Sequence, residues 1–274
     1  MSLEGKLQIT GLTDTGLVRS HNEDSIQFDS KLGLAVLADG MGGHNAGEIA
    51  SAIAIDTIQS RLEPKLKDIG HGELDEETGY SAESILVKEA VAQANDAILT
   101  TASEKSQYKG MGTTLVVALF YDNRMTVANV GDSRLYRFRG ENLEQITVDH
   151  TLLQELVDRG FYTLEEARET INRNVVTRAL GIEPAVTADL HEELVLPGDI
   201  YLLCSDGLND MAEDEDILSI LIQFSANLDE AKEKLVQLAK DNGGKDNISV
   251  ILCRPTQPFP AEKGWFHKII DWFS

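Results

Sequence analysis

The stretch TLVVALFYDNRMTVANV, residues 114–130, decides the fold of this chain. Two apolar runs, Thr114–Tyr121 and Arg124–Val130, flank the pair Asp122-Asn123. A turn-forming pair between two such runs is typical of a tight β-hairpin, so we predict two neighbouring antiparallel strands. Four more runs are strand-like, namely Leu34–Ala38, Arg134–Phe138, Ile200–Cys204 and Ile248–Cys253.

Helical patterns lie before and after these strands. Ala46–Leu62 is apolar around much of its circumference, and Glu83–Ala102 carries apolar residues at helical spacing along one face. Glu213–Phe224 and Asp229–Asn242 form a later helical pair. Strands in the middle and at the end of the chain, with helix pairs early and late, predict an α+β fold in which helices cover antiparallel sheets.

Three segments are predicted to be peripheral. Glu63–Ser81 is polar and acidic, which predicts a surface segment between two helices. Thr151–Gly181 is polar and helical and could form a lid. Residues 255–274 begin with a proline-containing linker and end in an aromatic stretch with an amphipathic helical pattern. This tail could pack on its own domain or dock a partner protein. A membrane surface is disfavoured because the polar face lacks a basic cluster.

Charge and composition exclude several classes of partner. The chain carries 46 acidic and 24 basic residues, a formal charge of −22, which disfavours nucleic acid and anionic membranes. No apolar run approaches the roughly 20 residues of a membrane span. The N-terminal residues lack a signal pattern, and Cys204 and Cys253 lie in strand-like runs where buried, inert thiols are expected. We therefore predict a cytoplasmic protein.

Acidic residues accompany the ends of the predicted strands. Asp39 follows Leu34–Ala38, Asp206 follows Ile200–Cys204, and Asp246 precedes Ile248–Cys253. Each of them, taken alone, could be a turn or cap residue. Several carboxylates that converge without a cysteine or histidine cluster instead suit a hard cation such as Mg²⁺ or Mn²⁺.

Eight short motifs occur in the order seen in the metal-dependent protein phosphatase 2C (PPM) family, and their residues resemble those of its bacterial branch. They are RSHNED (19–24), DGMGGH (39–44), GTT (112–114), VGDSR (130–134), DH (149–150), RALG (178–181), SDGL (205–208) and DN (246–247). No single motif is specific, but the ordered set is highly so. The resemblance implies a four-layer αββα sandwich of two antiparallel sheets flanked by helix pairs. It covers about residues 7–254 as a catalytic domain, with a flap at about 151–181 and the tail at 255–274 outside it.

The same resemblance implies a serine/threonine phosphoprotein phosphatase in which two divalent ions, Mn²⁺ or Mg²⁺, activate a water for attack on phosphorus. It also implies a ligand set. Asp39 would bridge the two ions and the Gly40 carbonyl would bind one of them, while Asp206 and Asp246 would hold the other. Glu23 and Asp24 would bind directly or through water, and Asp132 with Asp206 would hold the third, weaker ion of bacterial members.

A second group of residues is expected to contact the substrate. Arg19 matches the phosphate-binding residue of the family, and a planar guanidinium can hold two phosphate oxygens. His44 is the candidate general acid, although it could instead position substrate or water while a water donates the proton. Arg173 and Asn174 are the expected substrate contacts of the flap. Many bacterial relatives have His-Pro where this chain has Thr170-Ile171, which leaves those flap contacts open.

Other functions compete with this prediction. A cysteine phosphatase requires Arg six residues after its cysteine, whereas Asp210 follows Cys204 at that spacing. Phosphate-binding and dinucleotide-binding glycine loops are excluded, because Ala239 and Asn45 stand where each requires a glycine. A non-catalytic phosphoprotein-binding module and a phosphatase of small phosphoesters or phosphotyrosine stay open. We expect a monomer whose partners are phosphorylated proteins, the substrates of one serine/threonine kinase in the same cell.

Overall fold

The computed structural model describes residues 3–42, 46–67, 69, 74–172 and 174–261. The strands are β1 Leu7–Asp14, β2 Asp24–Asp29, β3 Leu34–Met41, β4 Gly112–Thr113, β5 Leu115–Tyr121, β6 Arg124–Val130, β7 Arg134–Arg139, β8 Asn142–Gln145, β9 Asp189–Leu194, β10 Ile200–Cys204 and β11 Ile248–Pro255. The α-helices are α1 Ala46–Lys65, α2 Ala82–Glu104, α3 Leu152–Asp158, α4 Leu164–Thr170, α5 Asp206–Asn209, α6 Asp214–Phe224 and α7 Leu228–Asp241.

The strands form two antiparallel sheets. The first has the order β1-β11-β10-β7-β8, and the second has the order β2-β3-β5-β6-β9 with β4 paired to the end of β3. The predicted hairpin is confirmed, because β5 and β6 pair directly across Asp122 and Asn123. Both turn residues have positive φ, 42° and 55°, as the two-residue turns that match strand twist require.

Three buried clusters separate four layers. One joins α1 and α2 to the second sheet through residues such as Ile58 and Val117. Another joins α6 and α7 to the first sheet, with Leu235 among its members. The third lies between the sheets, where the Phe120 and Tyr201 rings meet edge to face with centroids 5.6 Å apart. The predicted α+β class and αββα layering are therefore confirmed.

The end of β3 and four edge strands differ from the sequence prediction. Asp39 was predicted to follow a strand ending at Ala38, which is wrong, because β3 continues to Met41. The ladder extends since Gly40 and Met41 pair with Thr113 and Gly112 of β4. The sequence prediction also omitted β1, β2, β8 and β9, all of which are edge strands of their sheets.

The two cysteines have the predicted environment. Cys204 and Cys253 are free and fully buried. Burial raises the pKa of the Cys204 thiol to about 12 and raises that of Cys253 as well, so neither is a ready thiolate nucleophile. In the part of the chain that the structure describes, no helix has the length and apolarity needed to cross a membrane.

The peripheral segment 151–181 contains α3 and α4. Thr151 caps α3 by accepting a hydrogen bond from the Gln154 backbone, and Thr163 closes a capping box with Glu166 on α4. Isolated bridges from Thr151 to Val176 and from Thr113 to Leu180 tie its two ends to the sandwich. The flap limits stay a prediction, and the predicted tail helix lies outside the described residues.

Candidate active site

Five aspartates from both sheets meet at one end of the sandwich. Asp24 and Asp39 are directly opposed partners on β2 and β3. Asp206 follows β10, Asp246 lies two residues before β11, and Asp132 occupies the connection from β6 to β7. All but Asp24 line a cavity of about 260 Å³, which Arg19, Glu23 and Gly40 also line. The structure therefore brings together every predicted acidic residue that was read from separate motifs.

Asp24 forms the buried floor of this group. Its Oδ2 accepts hydrogen bonds from Ser205 Oγ at 2.9 Å and Ser249 Oγ at 2.6 Å, both from the other sheet. Its Oδ1 is buried and has no hydrogen-bond partner among the described residues. Burial raises the pKa of Asp24 to about 6 despite the two serine donors. One carboxylate oxygen is thus left for a ligand or a proton.

The other buried aspartates repel one another. Burial, followed by the charges of neighbouring aspartates, raises the pKa of Asp39 and of Asp206 well above the usual range. Burial, followed by the charge of Asp149, raises the pKa of Asp132 to about 6. Asp206 Oδ1 is also buried, and no described residue forms a hydrogen bond with it. A positive charge at the centre of this group would relieve both the repulsion and the unsatisfied oxygens.

Two threonines hold the Asp39 backbone. Asp39 N donates to Thr114 Oγ1 at 3.1 Å, and Thr113 Oγ1 donates to the Asp39 carbonyl at 2.8 Å. Thr114 Oγ1 also lies 2.7 Å from Ser133 Oγ, next to Asp132. These hydroxyl groups are used in supporting the carboxylates, so the structure gives them no nucleophilic role.

Gly40 permits a close approach of three backbone segments beside the aspartates. A Cβ atom there would lie 2.2 Å from the Gly47 carbonyl oxygen of α1 and 2.5 Å from the Glu23 carbonyl oxygen. Backbone atoms cannot move away cheaply, so any side chain would separate α1, β2 and β3. The glycine therefore sets how near its own carbonyl lies to the aspartates.

We expect Gly40→Ala to lower the free energy of unfolding by about 1–3 kcal/mol, as overpacking of a close contact does. Urea unfolding of the metal-free protein measures this loss. Gly5→Ala is the control, because a Cβ there meets nothing within 4 Å. Gly5 has a positive φ and Gly40 does not, so any backbone strain from alanine falls on the control alone. Equal stability losses in the two variants would contradict the close-packing explanation.

Arg19 stands at the rim of the cavity. Its Nη2 donates to Asp246 Oδ2 at 2.6 Å, and the guanidinium is 52% exposed, so it is both oriented and accessible. Asn247 holds the loop that carries Arg19. Its Nδ2 donates to the carbonyls of Thr15 at 3.0 Å and His21 at 2.9 Å, and its Oδ1 accepts from Glu23 N at 2.8 Å. Asn247 lies in a family motif, but the sequence predicted no role for it.

The flap contributes one predicted residue to the cavity wall. Asn174 lines the cavity together with Val176, and its Nδ2 lies 3.3 Å from Asp210 Oδ2. His44 and Arg173, the other predicted substrate contacts, lie outside the described residues. Ser205 and Ser249, which support Asp24, were not assigned roles by sequence reasoning, and Ser249 lies in a strand where nothing distinguishes it.

The donor set fits small divalent cations. Within residues 3–42, 46–67, 69, 74–172 and 174–261, no three Asp, Glu, His or Cys side chains are close enough together to hold an ion by themselves. Mg²⁺ characteristically takes one or two carboxylates and completes its shell with water, so a complete protein cage is not required. The unsatisfied oxygens of Asp24 and Asp206 and the raised aspartate pKa values are the observations that support the fit.

Residues 18–240 match the family model described as protein phosphatase 2C. The chain belongs to the protein phosphatase 2C family. Among its relatives is the Mycobacterium tuberculosis serine/threonine protein phosphatase PstP, 40% identical over 250 residues, which cover 90% of this chain and 45% of PstP. The chain thus spans about half the length of that relative. The serine/threonine phosphatase stp of Listeria innocua is 34% identical over 243 residues, 88% of this chain and 92% of stp.

Solved structures support the same protein phosphatase 2C fold. The crystal structure of M. tuberculosis PstP/Ppp has a TM-score of 0.80 at 38% identity and covers 93% of this chain and 99% of its own. A second structure, the PstP catalytic domain in complex with two manganese ions, has a TM-score of 0.77 at 38% identity. It covers 90% of this chain and 97% of that domain.

His150 connects the flap base to the Asp132 loop of this protein phosphatase 2C domain. Its Nδ1 accepts from Gly131 N at 3.0 Å, and its backbone N donates to the Gly131 carbonyl at 2.9 Å. Its carbonyl accepts from Thr177 N at 2.8 Å on the far side of the segment. His150 therefore anchors the base of the segment to the Asp132 loop.

Proposed function

We propose that this chain is a metal-dependent phosphoprotein phosphatase that hydrolyses phosphoserine and phosphothreonine. The convergence of buried and half-buried aspartates from both sheets at a cavity rimmed by Arg19 carries this proposal. The names of the relatives, serine/threonine phosphatases, support the substrate class. The manganese ions in the related PstP structure support the choice of cation.

The proposed ligands divide between two ions. Asp39 would be shared by both ions, the Gly40 carbonyl would bind one, and Asp206 with Asp246 would bind the other. Glu23 and Asp24 would act directly or through water, and Asp132 with Asp206 would offer a weaker third position. Such a pair of ions would supply activation of a water for attack on phosphorus.

The remaining roles belong to the protein itself. Arg19 binds two phosphate oxygens, and its bond to Asp246 holds the guanidinium in place for them. Asn247 fixes the loop that carries Arg19, so it orients the substrate indirectly. His44 is proposed to protonate the leaving alkoxide, and Arg173 and Asn174 to contact the phosphoprotein beyond the phosphate.

The cellular setting is part of the same proposal. We infer a cytoplasmic monomer that acts in signal transduction by reversing the phosphorylation catalysed by one serine/threonine kinase. The formal charge of −22 supports protein substrates over nucleic acid or anionic membranes.

The deciding experiment is hydrolysis of a phosphothreonine peptide by metal-stripped protein to which Mn²⁺ or Mg²⁺ is returned. We expect turnover only with metal, its loss in Asp206→Asn, and its retention in Asp56→Asn, an exposed acid on the outer face of α1. Folded protein that shows no turnover with either ion would contradict the proposal and favour a phosphoprotein-binding module. Faster turnover of a small phosphoester than of the peptide would contradict the substrate class.

Arg19→Lys should impair the phosphatase even though it keeps the positive charge. A lysine cannot hold two phosphate oxygens in a planar fork, so we expect kcat/KM to fall by about 10²-fold, as with loss of one oriented transition-state donor. Steady-state kinetics with the phosphothreonine peptide measures this. Arg61→Lys, an exposed residue on the outer surface of α1, is the control and should leave kcat/KM unchanged. An unchanged kcat/KM for Arg19→Lys would remove Arg19 from the site.

A further inference from the structure

An apolar cavity of about 310 Å³ lies at the end of the sandwich opposite the aspartates. Strand β5 establishes this position, because it begins beside Thr114, which bonds Asp39, and ends at Tyr121. A strand of seven residues spans about 20 Å. The apolar residues lining the cavity are Leu3, Leu32, Leu66, Leu119, Phe120 and Tyr121.

The described chain ends beside this cavity. Phe259 N donates to Asn123 Oδ1 and Ala261 N donates to Asp122 Oδ1, each at 2.6 Å. Asp122 directly follows Tyr121, which lines the cavity. Phe259 is 1% exposed and belongs to the buried cluster that contains Leu3 and Phe120. The β5–β6 turn therefore fixes the point from which the remaining residues continue.

Residues 262–274 read EKGWFHKIIDWFS and have a composition suited to an apolar surface. Six of the thirteen side chains are large and apolar, and the two lysines balance Glu262 and Asp271. A segment without net charge is not repelled by a chain of formal charge −22. Thirteen residues span about 20 Å as a helix and about 40 Å when extended, so either conformation reaches the cavity.

We propose that residues 262–274 dock in this cavity of their own chain and insert aromatic side chains between Leu32, Leu66 and Phe120. Lys31, Glu63 and Lys67 form a charged rim that offers partners to Lys268 and Asp271. Attachment at Ala261 gives the segment a high effective concentration at the cavity, which favours it over a free partner of similar composition. This inference is independent of the phosphatase activity.

Tryptophan fluorescence tests the proposal directly. The chain has two tryptophans, Trp265 and Trp272, and both lie in this segment, so the emission of the full chain reports on it alone. We expect the emission to be blue-shifted and acrylamide quenching to be several-fold weaker than in a synthetic peptide of residues 262–274. Emission and quenching equal to those of the peptide would overturn the proposal.

Variants locate the docking surface. Leu32→Glu places a charge on a partly buried wall of the cavity, and Ile270→Asp places one in the segment. Both should return the fluorescence to the values of the free peptide. Ile222→Glu, 44% exposed on α6 in the opposite helix layer, should leave it unchanged. Circular dichroism checks folding, and protection that survives in folded Leu32→Glu protein would overturn the proposal.

A cysteine cross-link provides a measurement that leaves the cavity wall intact. Cys204 and Cys253 are buried, so introduced thiols can be oxidised selectively. Lys67→Cys should form an intramolecular disulfide with at least one of Phe266→Cys, Ile269→Cys and Phe273→Cys. Lys234→Cys, on α7 in the opposite helix layer, should form none with them. Equal cross-linking of both lysine positions would overturn the assignment.

Other occupants give different results. A blue shift that grows with protein concentration, together with intermolecular cross-links, would indicate a second copy of the chain and overturn docking in cis. A blue shift that appears only with phosphatidylglycerol vesicles would indicate a membrane surface and would also overturn it.

Discussion

Asp39→Asn is expected to abolish metal-dependent turnover while it stabilises the metal-free fold. Asp39 is the proposed shared ligand of both ions. We therefore expect its substitution to lower turnover by more than the roughly 10–100-fold that follows loss of a hydrogen-bond partner of a metal ligand. The stabilisation has a separate cause, because the substitution removes a buried charge whose pKa is raised by burial and by Asp24 and Asp206. Peptide hydrolysis and urea unfolding of metal-stripped protein measure the two effects.

The sign of the pH dependence follows from the raised pKa of Asp39. The folded state binds the Asp39 proton more tightly than the unfolded chain does, so ionisation of this group lowers the free energy of unfolding as pH rises. This loss begins near the unfolded value of 3.8 and continues through the raised folded pKa. Asp39→Asn lacks this loss, so its stability advantage over the unsubstituted chain should grow between pH 4 and neutrality.

A matched comparison separates this effect from general amide substitution. Asp56→Asn makes the same change at an exposed aspartate of α1, so it serves as the control for amide substitution itself. Saturating Mn²⁺ should stabilise the unsubstituted protein more than Asp39→Asn, because binding to the folded state alone shifts unfolding by mass action. An Asp39→Asn protein that is less stable than the unsubstituted chain at neutral pH without metal would contradict the electrostatic interpretation.

Arg134→Met is expected to lower the free energy of unfolding by about 3–5 kcal/mol, the range for breaking a buried ion pair from one side. Arg134 donates to both carboxylate oxygens of Asp149, from Nη2 at 2.7 Å and from Nε at 2.9 and 3.1 Å. The two side chains are only 20% and 14% exposed. Without the guanidinium, Asp149 would keep a largely buried charge supported by Gln145.

Urea unfolding of a double-mutant cycle tests this expectation. Arg134→Met with Asp149→Leu removes both charges and should be less destabilised than Arg134→Met alone. Lys65→Met is the control, because the Lys65–Glu89 pair is 52% exposed on both sides and such pairs contribute about 1 kcal/mol or less. Equal losses in the free energy of unfolding for Arg134→Met and Lys65→Met would show that the Arg134–Asp149 pair stabilises the fold no more than an exposed pair does.

The central strands could be predicted from sequence because they are buried on both faces. In β5 and β10 every residue is buried, which leaves an uninterrupted apolar run that is easily recognised. The missed strands β8 and β9 contain no fully buried residue, so they lack such an apolar run. Each lies at a sheet edge and pairs with one neighbour only. Their strand conformation depends on the neighbour that binds them, so local composition does not reveal it.

The sequence alone determined the family motifs, the acidic residues of the site and the succession of helices and central strands, because each lies in local patterns of a few residues. The four-layer arrangement followed only from the family resemblance. Tertiary structure decided how those residues act on one another. Asp24 meets Ser249 across 225 residues of sequence, and Asn247 orients Glu23 across 224. Only pairing of the strands and packing of the two sheets create these distances, and the burial that follows raises the aspartate pKa values.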